Sequence, residues 1–230
     1  MSTPAWPWPE SFSPVRLQAG NTACTGLSPA PAHGLVRRNR RLALSTALLD
    51  QQTLHAGWNR LLMVQARTDR GSLIKRSVED HGNAVAVLPF DPTRRVALLV
   101  RQLRVPLLFA HGLASSLECP AGILDEDDPA DCARREAMEE AGLALGELIP
   151  LGASFPMPGV STEKMYLFLA EYAGEHRVSE GGGLAEEVEE IEVVEMPLVE
   201  LAAMADRGEL ADMKALVLLQ TLRLRRPELF

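Results

Sequence analysis

Alternating apolar and polar positions set in at Trp58 and continue for most of the remaining chain. Residues 60–66 and 72–78 read as two strands around a turn at Asp69-Arg70-Gly71. Residues 83–90 and 95–101 form a second pair joined by Asp91-Pro92-Thr93, a sequence suited to a tight turn because proline presets φ and aspartate bonds its own backbone. Shorter strands are expected at 118–121, 149–155, 165–172 and 190–195, and helices at 129–141, 198–206 and 212–224. Strands mixed with one central helix, and helices at the end, predict an α+β fold, an α/β/α sandwich around a mixed β-sheet with an additional N-terminal antiparallel sheet. The first 35 or so residues, rich in Pro, Ser and Ala, show no sustained period. The expected division is an irregular arm over 1–45, N-terminal strands over 46–82 and a main domain over 83–230.

The helix at 129–141 is specified from both ends. Asp128 can cap its first amides, Pro129 suits the first helical position and Gly142 can close it in a left-handed conformation. Ala130, Ala133, Ala137 and Ala141 make a small-residue stripe that can lie flat on a sheet. Beside that stripe Glu136, Glu139 and Glu140 stand three and four residues apart, hence on one face. Like charges so spaced disfavour a helix by roughly 0.2–0.5 kcal/mol per pair, so their concentration points to a task. Carboxylate oxygens suit a hard cation such as magnesium, which keeps waters and pairs readily with substrate phosphates. Arg135, adjacent to Glu136 and four residues before Glu139, can hold a carboxylate by bidentate hydrogen bonding and so orient the catalytic groups. The pattern therefore predicts a metal-dependent hydrolase.

Composition narrows the partners. A net charge of −8 disfavours broad binding to nucleic acid. No apolar run approaches the ~20 residues of a membrane span, and no charged segment followed by an apolar stretch opens the chain. A soluble cytoplasmic protein is expected, with neither nucleic acid nor membrane as partner. Cys24, Cys119 and Cys132 are odd in number and lack metal-ligand spacing, as for reduced thiols, with Cys132 a packing residue. Only Lys75, Lys164 and Lys214 are lysines among the 23 basic residues. The basic run RRNRR at 37–41 reads as solvated surface.

The segments VRQLRVP (100–106), LECPAGILDEDDPADCARREAMEEAGL (117–143), PGVSTE (158–163), LAEY (169–172), GGG (181–183) followed by EEIEVVEMP, and ADMKALVLL (211–219) resemble the Nudix hydrolases. Within that family they are most similar to the ADP-ribose and nucleoside-diphosphate-sugar pyrophosphatase branch, GDP-mannose hydrolases above all. The second half of the family signature, R-E-apolar-x-E-E-x-G-apolar, is complete from Arg135 to Leu143. The first half departs from it: the five-residue gap after Gly122 leads to Asp128 in place of glutamate, and only six residues separate Asp128 from Arg135. The resemblance implies a Nudix fold and hydrolysis of a nucleoside-diphosphate sugar to nucleoside monophosphate and sugar phosphate. It implies magnesium, or manganese, held by Glu136, Glu139, Glu140 and the carbonyl of Ala121. It also implies a general base at Glu189, or at Glu163, with Gly181-Gly182-Gly183 permitting a loop that closes on substrate. Arg104 is expected to contact substrate, Arg101, Glu118 and Arg76 occupy pocket positions, and a homodimer built through the strands before residue 90 is implied. Two other readings are a Nudix hydrolase of another nucleotide, such as a dinucleotide or an oxidised nucleoside triphosphate, and a nucleotide-binding regulator without turnover. The three intact glutamates weigh against the last.

Overall fold

The computed structural model describes residues 45–125, 128–184 and 190–230. The arm over 1–45, apart from its last residue, the RRNRR run and Glu189 lie outside the described residues. Three strands, β1 (Ala47–Ala56), β2 (Arg60–Arg67) and β3 (Leu73–Asp80), form an antiparallel sheet in that order. Seven more make a mixed sheet: β4 (Asn83–Asp91), β5 (Val96–Leu103), β6 (Ser115–Glu118), β7 (Ala121–Leu124), β8 (Leu148–Ser154), β9 (Met165–Glu171) and β10 (Glu192–Pro197). The main path runs β10-β5-β4-β9-β8; β4 and β9 are parallel and the other pairs antiparallel. The helices are α1 (Val105–His111), α2 (Pro129–Ala141), α3 (Leu198–Asp206) and α4 (Met213–Arg225).

The apolar runs of β4 and β5 are explained by cover on both faces. Successive strand residues point to opposite sides, and β4 divides accordingly. Ala84, Ala86, Leu88 and Phe90 pack with Leu201 of α3 and with Leu218, Leu219 and Leu222 of α4. Val85 and Val87 pack with Ala133, Ala137 and Ala141 of α2. The expected α/β/α sandwich and the extra antiparallel sheet are both present. Each large side chain so buried contributes roughly 1.5–3 kcal/mol.

One feature of the sheet creates the site. β4 and β5 pair only at Phe90–Ala97 and Asp91–Val96, then part. Into the fork β6 adds to β5 at Val100–Leu103, and β7 adds to β4 at Asn83–Ala86. The strand expected at 118–121 is therefore two strands broken at Cys119-Pro120, where proline offers no amide to a ladder. The break leaves Glu118 at the end of β6 and Ala121 at the start of β7.

α2 begins and ends as its residues dictate. Asp128 Oδ1 accepts the Ala130 amide at 2.9 Å, and Gly142 has φ 68°. The amides of Gly142 and Leu143 return to the carbonyls of Met138 and Ala137, each at 3.0 Å, as in a Schellman closure. β1 falls within the strand region expected from residue 46, although no strand was placed before Arg60, and α1 was not anticipated; its short run is almost wholly apolar, so no alternation of apolar and polar positions announced a helix. Among the described residues no helix is long and apolar enough to cross a membrane.

Candidate active site

The glutamate face of α2 lies against the start of β7. Glu140 is only 3% exposed; its Oε2 accepts the Ala121 amide at 3.0 Å and its Oε1 accepts Gln102 Nε2 at 3.5 Å. Glu136 lies against Gly122 so closely that any side chain at 122 would overlap its carboxylate. A side chain at 122 would have to displace the end of the Glu136 side chain. Arg135 Nη1 stands 2.9 Å from Glu136 Oε1 and 3.1 Å from Glu139 Oε2. One nitrogen thus bridges two carboxylates, where the sequence suggested a bidentate grip on one. Its Nη2 donates to Cys132 Sγ at 3.4 Å, and that thiol donates to the Ile123 carbonyl at 3.5 Å. Cys132 is fully buried and serves packing and the seating of Arg135.

The far end of α2 is clamped by glycines. Gly182 and Gly183 donate to the carbonyls of Glu140 and Glu139, both at 3.0 Å, satisfying groups a helix end leaves open. Side chains at Gly142 and Gly181 would collide with the backbone of Ser179 and of Glu140 respectively. Residues 181–183, expected as the hinge of a closing loop, here lock a backbone contact; Glu189 lies outside the described residues.

Arg104 and Glu118, both expected at the pocket, meet each other. Arg104 Nε and Nη2 fork onto Glu118 Oε1 and Oε2 at 2.8 and 2.7 Å, and Lys214 Nζ donates to Oε2 at 3.0 Å. Burial pushes the Glu118 carboxyl up, but the Arg104 hydrogen bonds and the charges of Lys214 and Arg104 override it and hold its pKa at about 2. Burial works against the charge of Lys214, and the neighbouring carboxylates of Asp212 and Glu118 raise its pKa nonetheless. Arg101 Nε pairs with Glu192 Oε2 at 3.1 Å, between exposed positions of β5 and β10. Arg76, exposed on β3, donates to the Lys75 carbonyl at 2.8 Å, and among the described residues no contact joins it to the glutamate helix. Glu163 is largely buried: its amide donates to Ser161 Oγ at 3.1 Å and its Oε1 is 3.7 Å from His81 Nε2. His81 Nδ1 bonds Glu79 Oε1 at 2.7 Å, and its ring stacks on Trp58.

Gln102, Asp212 and Lys214 join the site without having been picked out. The rarity of lysine in this arginine-rich chain and its place in the resembling segment ADMKALVLL were the available signs for Lys214.

The donor set suits a hard divalent ion, being carboxylate oxygen beside a strand edge held open by Gly122. As the side chains stand, Glu136 and Glu139 turn to Arg135 and Glu140 to Ala121 and Gln102. Among the described residues no three acidic, His or Cys groups are drawn together closely enough to enclose an ion.

The NUDIX domain model matches residues 80–217, which include the fork, the glutamate helix and Lys214. The chain belongs to the Nudix family. A GDP-mannose pyrophosphatase of Klebsiella pneumoniae is 36% identical to this Nudix protein over 188 residues, covering 79% of this chain and 93% of the relative. One of Citrobacter koseri is 40% identical over 150 residues, covering 64% and 77%. A crystal structure described as an ADP compounds hydrolase superposes with a TM-score of 0.64 over 80% of this chain and 95% of the other; at 18% identity it establishes the shared fold. The chain is an enzyme of the Nudix pyrophosphatase class. Nudix hydrolases generally use divalent metal cations.

Proposed function

We propose that this Nudix protein hydrolyses the diphosphate bond of a nucleoside-diphosphate sugar with magnesium, GDP-mannose or ADP-ribose being the candidate substrates, to a nucleoside monophosphate and a sugar phosphate. The observation that carries the hydrolytic reading is the glutamate face of α2 seated on Ala121 and Gly122. The substrate class is supported by the relatives named GDP-mannose pyrophosphatase. Glu136, Glu139, Glu140 and the Ala121 carbonyl are the residues that would hold the ion, with manganese as the alternative. When bound, the ion screens the diphosphate, polarises phosphorus and makes a bound water a stronger nucleophile.

The remaining work falls to the chain. Arg135 holds the rotamers of Glu136 and Glu139. The buried Glu140 is fixed by the Ala121 amide and so carries little reorganisation into the reaction. Arg104, 39% exposed at its side chain, offers a cation to a phosphate. A carboxylate must take the proton of the attacking water; Glu189 is the first candidate and Glu163 the second, the latter held beside His81. Arg101, Glu118 and Arg76 complete the proposed pocket set, Glu118 acting by holding Arg104.

The same proposal keeps the division into an arm over 1–45, strands over 46–82 and a catalytic domain over 83–230, and a cytoplasmic homodimer formed through the N-terminal strands. Leu48, Leu49, Leu54 and Trp58 there are exposed, as a self-associating surface requires. The decisive experiment incubates the protein and magnesium with GDP-mannose, ADP-ribose, ADP-glucose and diadenosine nucleotides and separates the products chromatographically. A nucleoside monophosphate and a sugar phosphate are expected; no cleavage of any of them at several pH values overturns the reading. Glu140→Gln should abolish metal-dependent turnover while the circular dichroism spectrum stays native, and full activity in that variant would remove Glu140 from the ligand set.

A further inference from the structure

α2 carries its carboxylates at the wrong end for its own stability. Glu136, Glu139 and Glu140 lie in the C-terminal half of Pro129–Ala141, toward the end where a helix leaves its carbonyls open and its dipole is negative. No basic residue stands in the last turn to offset this, and the like charges three and four residues apart add their own repulsion. Left to itself this end of the helix frays, and the placement of Glu139 and Glu140 is lost with it.

The segment 176–183 wraps that end. The Ala144 amide donates to the His176 carbonyl and the Val178 amide to the Gly142 carbonyl, each at 2.9 Å. Further on, Gly182 and Gly183 take up the carbonyls of Glu140 and Glu139, the residues whose side chains reach Ala121 and Arg135. The wrap then closes on itself: the Ile191 amide donates to the Gly182 carbonyl at 3.3 Å, and Ile191 packs on the cluster that holds Ala137 and Ala141.

Only glycine lets the two backbones meet this way. Gly181, Gly182 and Gly183 have φ of 71°, 109° and 81°, values that L side chains rarely adopt. A Cβ at 181 would lie 2.5 Å from the Glu140 carbonyl oxygen and 2.8 Å from the Gly142 nitrogen, backbone atoms that cannot swing aside. Gly208 has nearly the same φ, 72°, yet nothing lies within 4 Å of its Cβ position. The two positions share the strain of a left-handed residue and differ in the contact with α2.

We infer that Gly181-Gly182-Gly183 is a positioning element for the metal centre: it fixes the last turn of α2, the backbone from which Glu139 and Glu140 project, and the affinity for the divalent ion depends on it. This rests on the metal reading proposed above. The glycines act through the backbone of the glutamates, so their substitution acts on ion binding before it acts on substrate binding.

The test titrates the full-length protein and its Gly181→Ala, Gly182→Ala and Gly208→Ala variants with manganese in the absence of nucleotide, the free ion being counted by electron paramagnetic resonance. Melting temperature and the turnover of GDP-mannose over a range of metal concentration are measured alongside. Gly181→Ala should raise the manganese Kd by about tenfold or more, the usual loss when a group that orients a metal ligand is removed. The metal dependence of kcat should shift to the same extent, while KM at saturating metal stays near wild type. A Cβ at Gly182 would meet only the Ile191 carbonyl, at 3.7 Å, so Gly182→Ala strains the backbone without overlap and should raise Kd by a smaller factor. That variant remains readable should Gly181→Ala fail to fold. Gly208→Ala should lower the melting temperature and leave manganese affinity unchanged. Wild-type affinity in both clamp variants would overturn the inference, as would an equal loss in Gly208→Ala, which would make the effect general destabilisation. A wild-type protein that takes up no manganese fails the metal reading itself, and the inference falls with it.

Discussion

The seven-stranded and three-stranded sheets draw on similar apolar residues and put them to opposite uses. β4 has eight of its nine residues buried and none exposed, because α2 covers one face and α3 and α4 the other. β1, of ten residues, has none buried and nine exposed. Its ladder to β2 is complete enough to hold its shape, with two irregularities of register, but within one chain it has no covering layer comparable to the helices. The proposed metal-binding glutamates stand on α2, which packs on the covered sheet, where packing fixes side chains to within fractions of an ångström. The two sheets meet through polar contacts: Glu79 accepts from Ser161 Oγ at 2.8 Å, and its amide donates to the Val160 carbonyl at 2.8 Å. Those contacts sit next to Glu163, so the uncovered sheet also bears on the proposed base.

If this contrast is right, Phe90→Ala, a fully buried position on the covered sheet, should have the largest effect on stability. A loss of about 3–5 kcal/mol is expected in urea unfolding; a loss below about 1 kcal/mol would show that the helices do not seal that face. Glu118 gives the next effect, through pH. Its folded pKa of about 2 lies below its ordinary 4.5, so the ionised carboxylate stabilises the fold fully above pH 4.5. That contribution drains away as the pH falls toward 2, and the shift is worth about 3 kcal/mol. Glu118→Gln should have a flatter stability curve between those values, and parallel curves would argue against a stabilising Arg104–Glu118–Lys214 cluster.

At the seam, Glu79→Gln weakens bonds to Ser161, Asn59 and His81. A loss of about 1–2 kcal/mol is expected, with a fall in kcat if Glu163 is the base. Unchanged kcat alongside that loss would detach the seam from catalysis. The smallest effect belongs to Leu48→Ser, 78% exposed on β1: monomer stability should move by less than about 0.5 kcal/mol. Light scattering should nevertheless show weakened self-association, and identical masses at every concentration would count against β1 as the dimer surface.

The legible parts of the molecule were those whose signals are local. α2 could be bounded to the residue from Asp128, Pro129 and Gly142, because capping is decided within one turn of chain. Strands β4, β5 and β9 showed in their runs of apolar residues, which burial on both faces demands. α1 left a faint trace in Pro106 and Gly112, a start and stop pair around a short apolar run with no polar face to mark a helical period. The break at Cys119-Pro120 was missed because which strand each half joins depends on β4 and β5 parting some twenty to thirty residues away in sequence.

By itself, then, the sequence determined the glutamate helix, its caps, its alanine stripe and the family to which the chain belongs, since each rests on spacing along one short segment. Only the tertiary structure decided where those glutamates rest and what stands behind Arg104. Ala121 meets Glu140 because the sheet forks, and Lys214 meets Glu118 across 96 positions of chain because α4 packs on β4 and β9 and brings its first turn to the end of β6. Contacts of that kind arise from the closing of layers on a shared core, and no period or spacing in the chain encodes them singly.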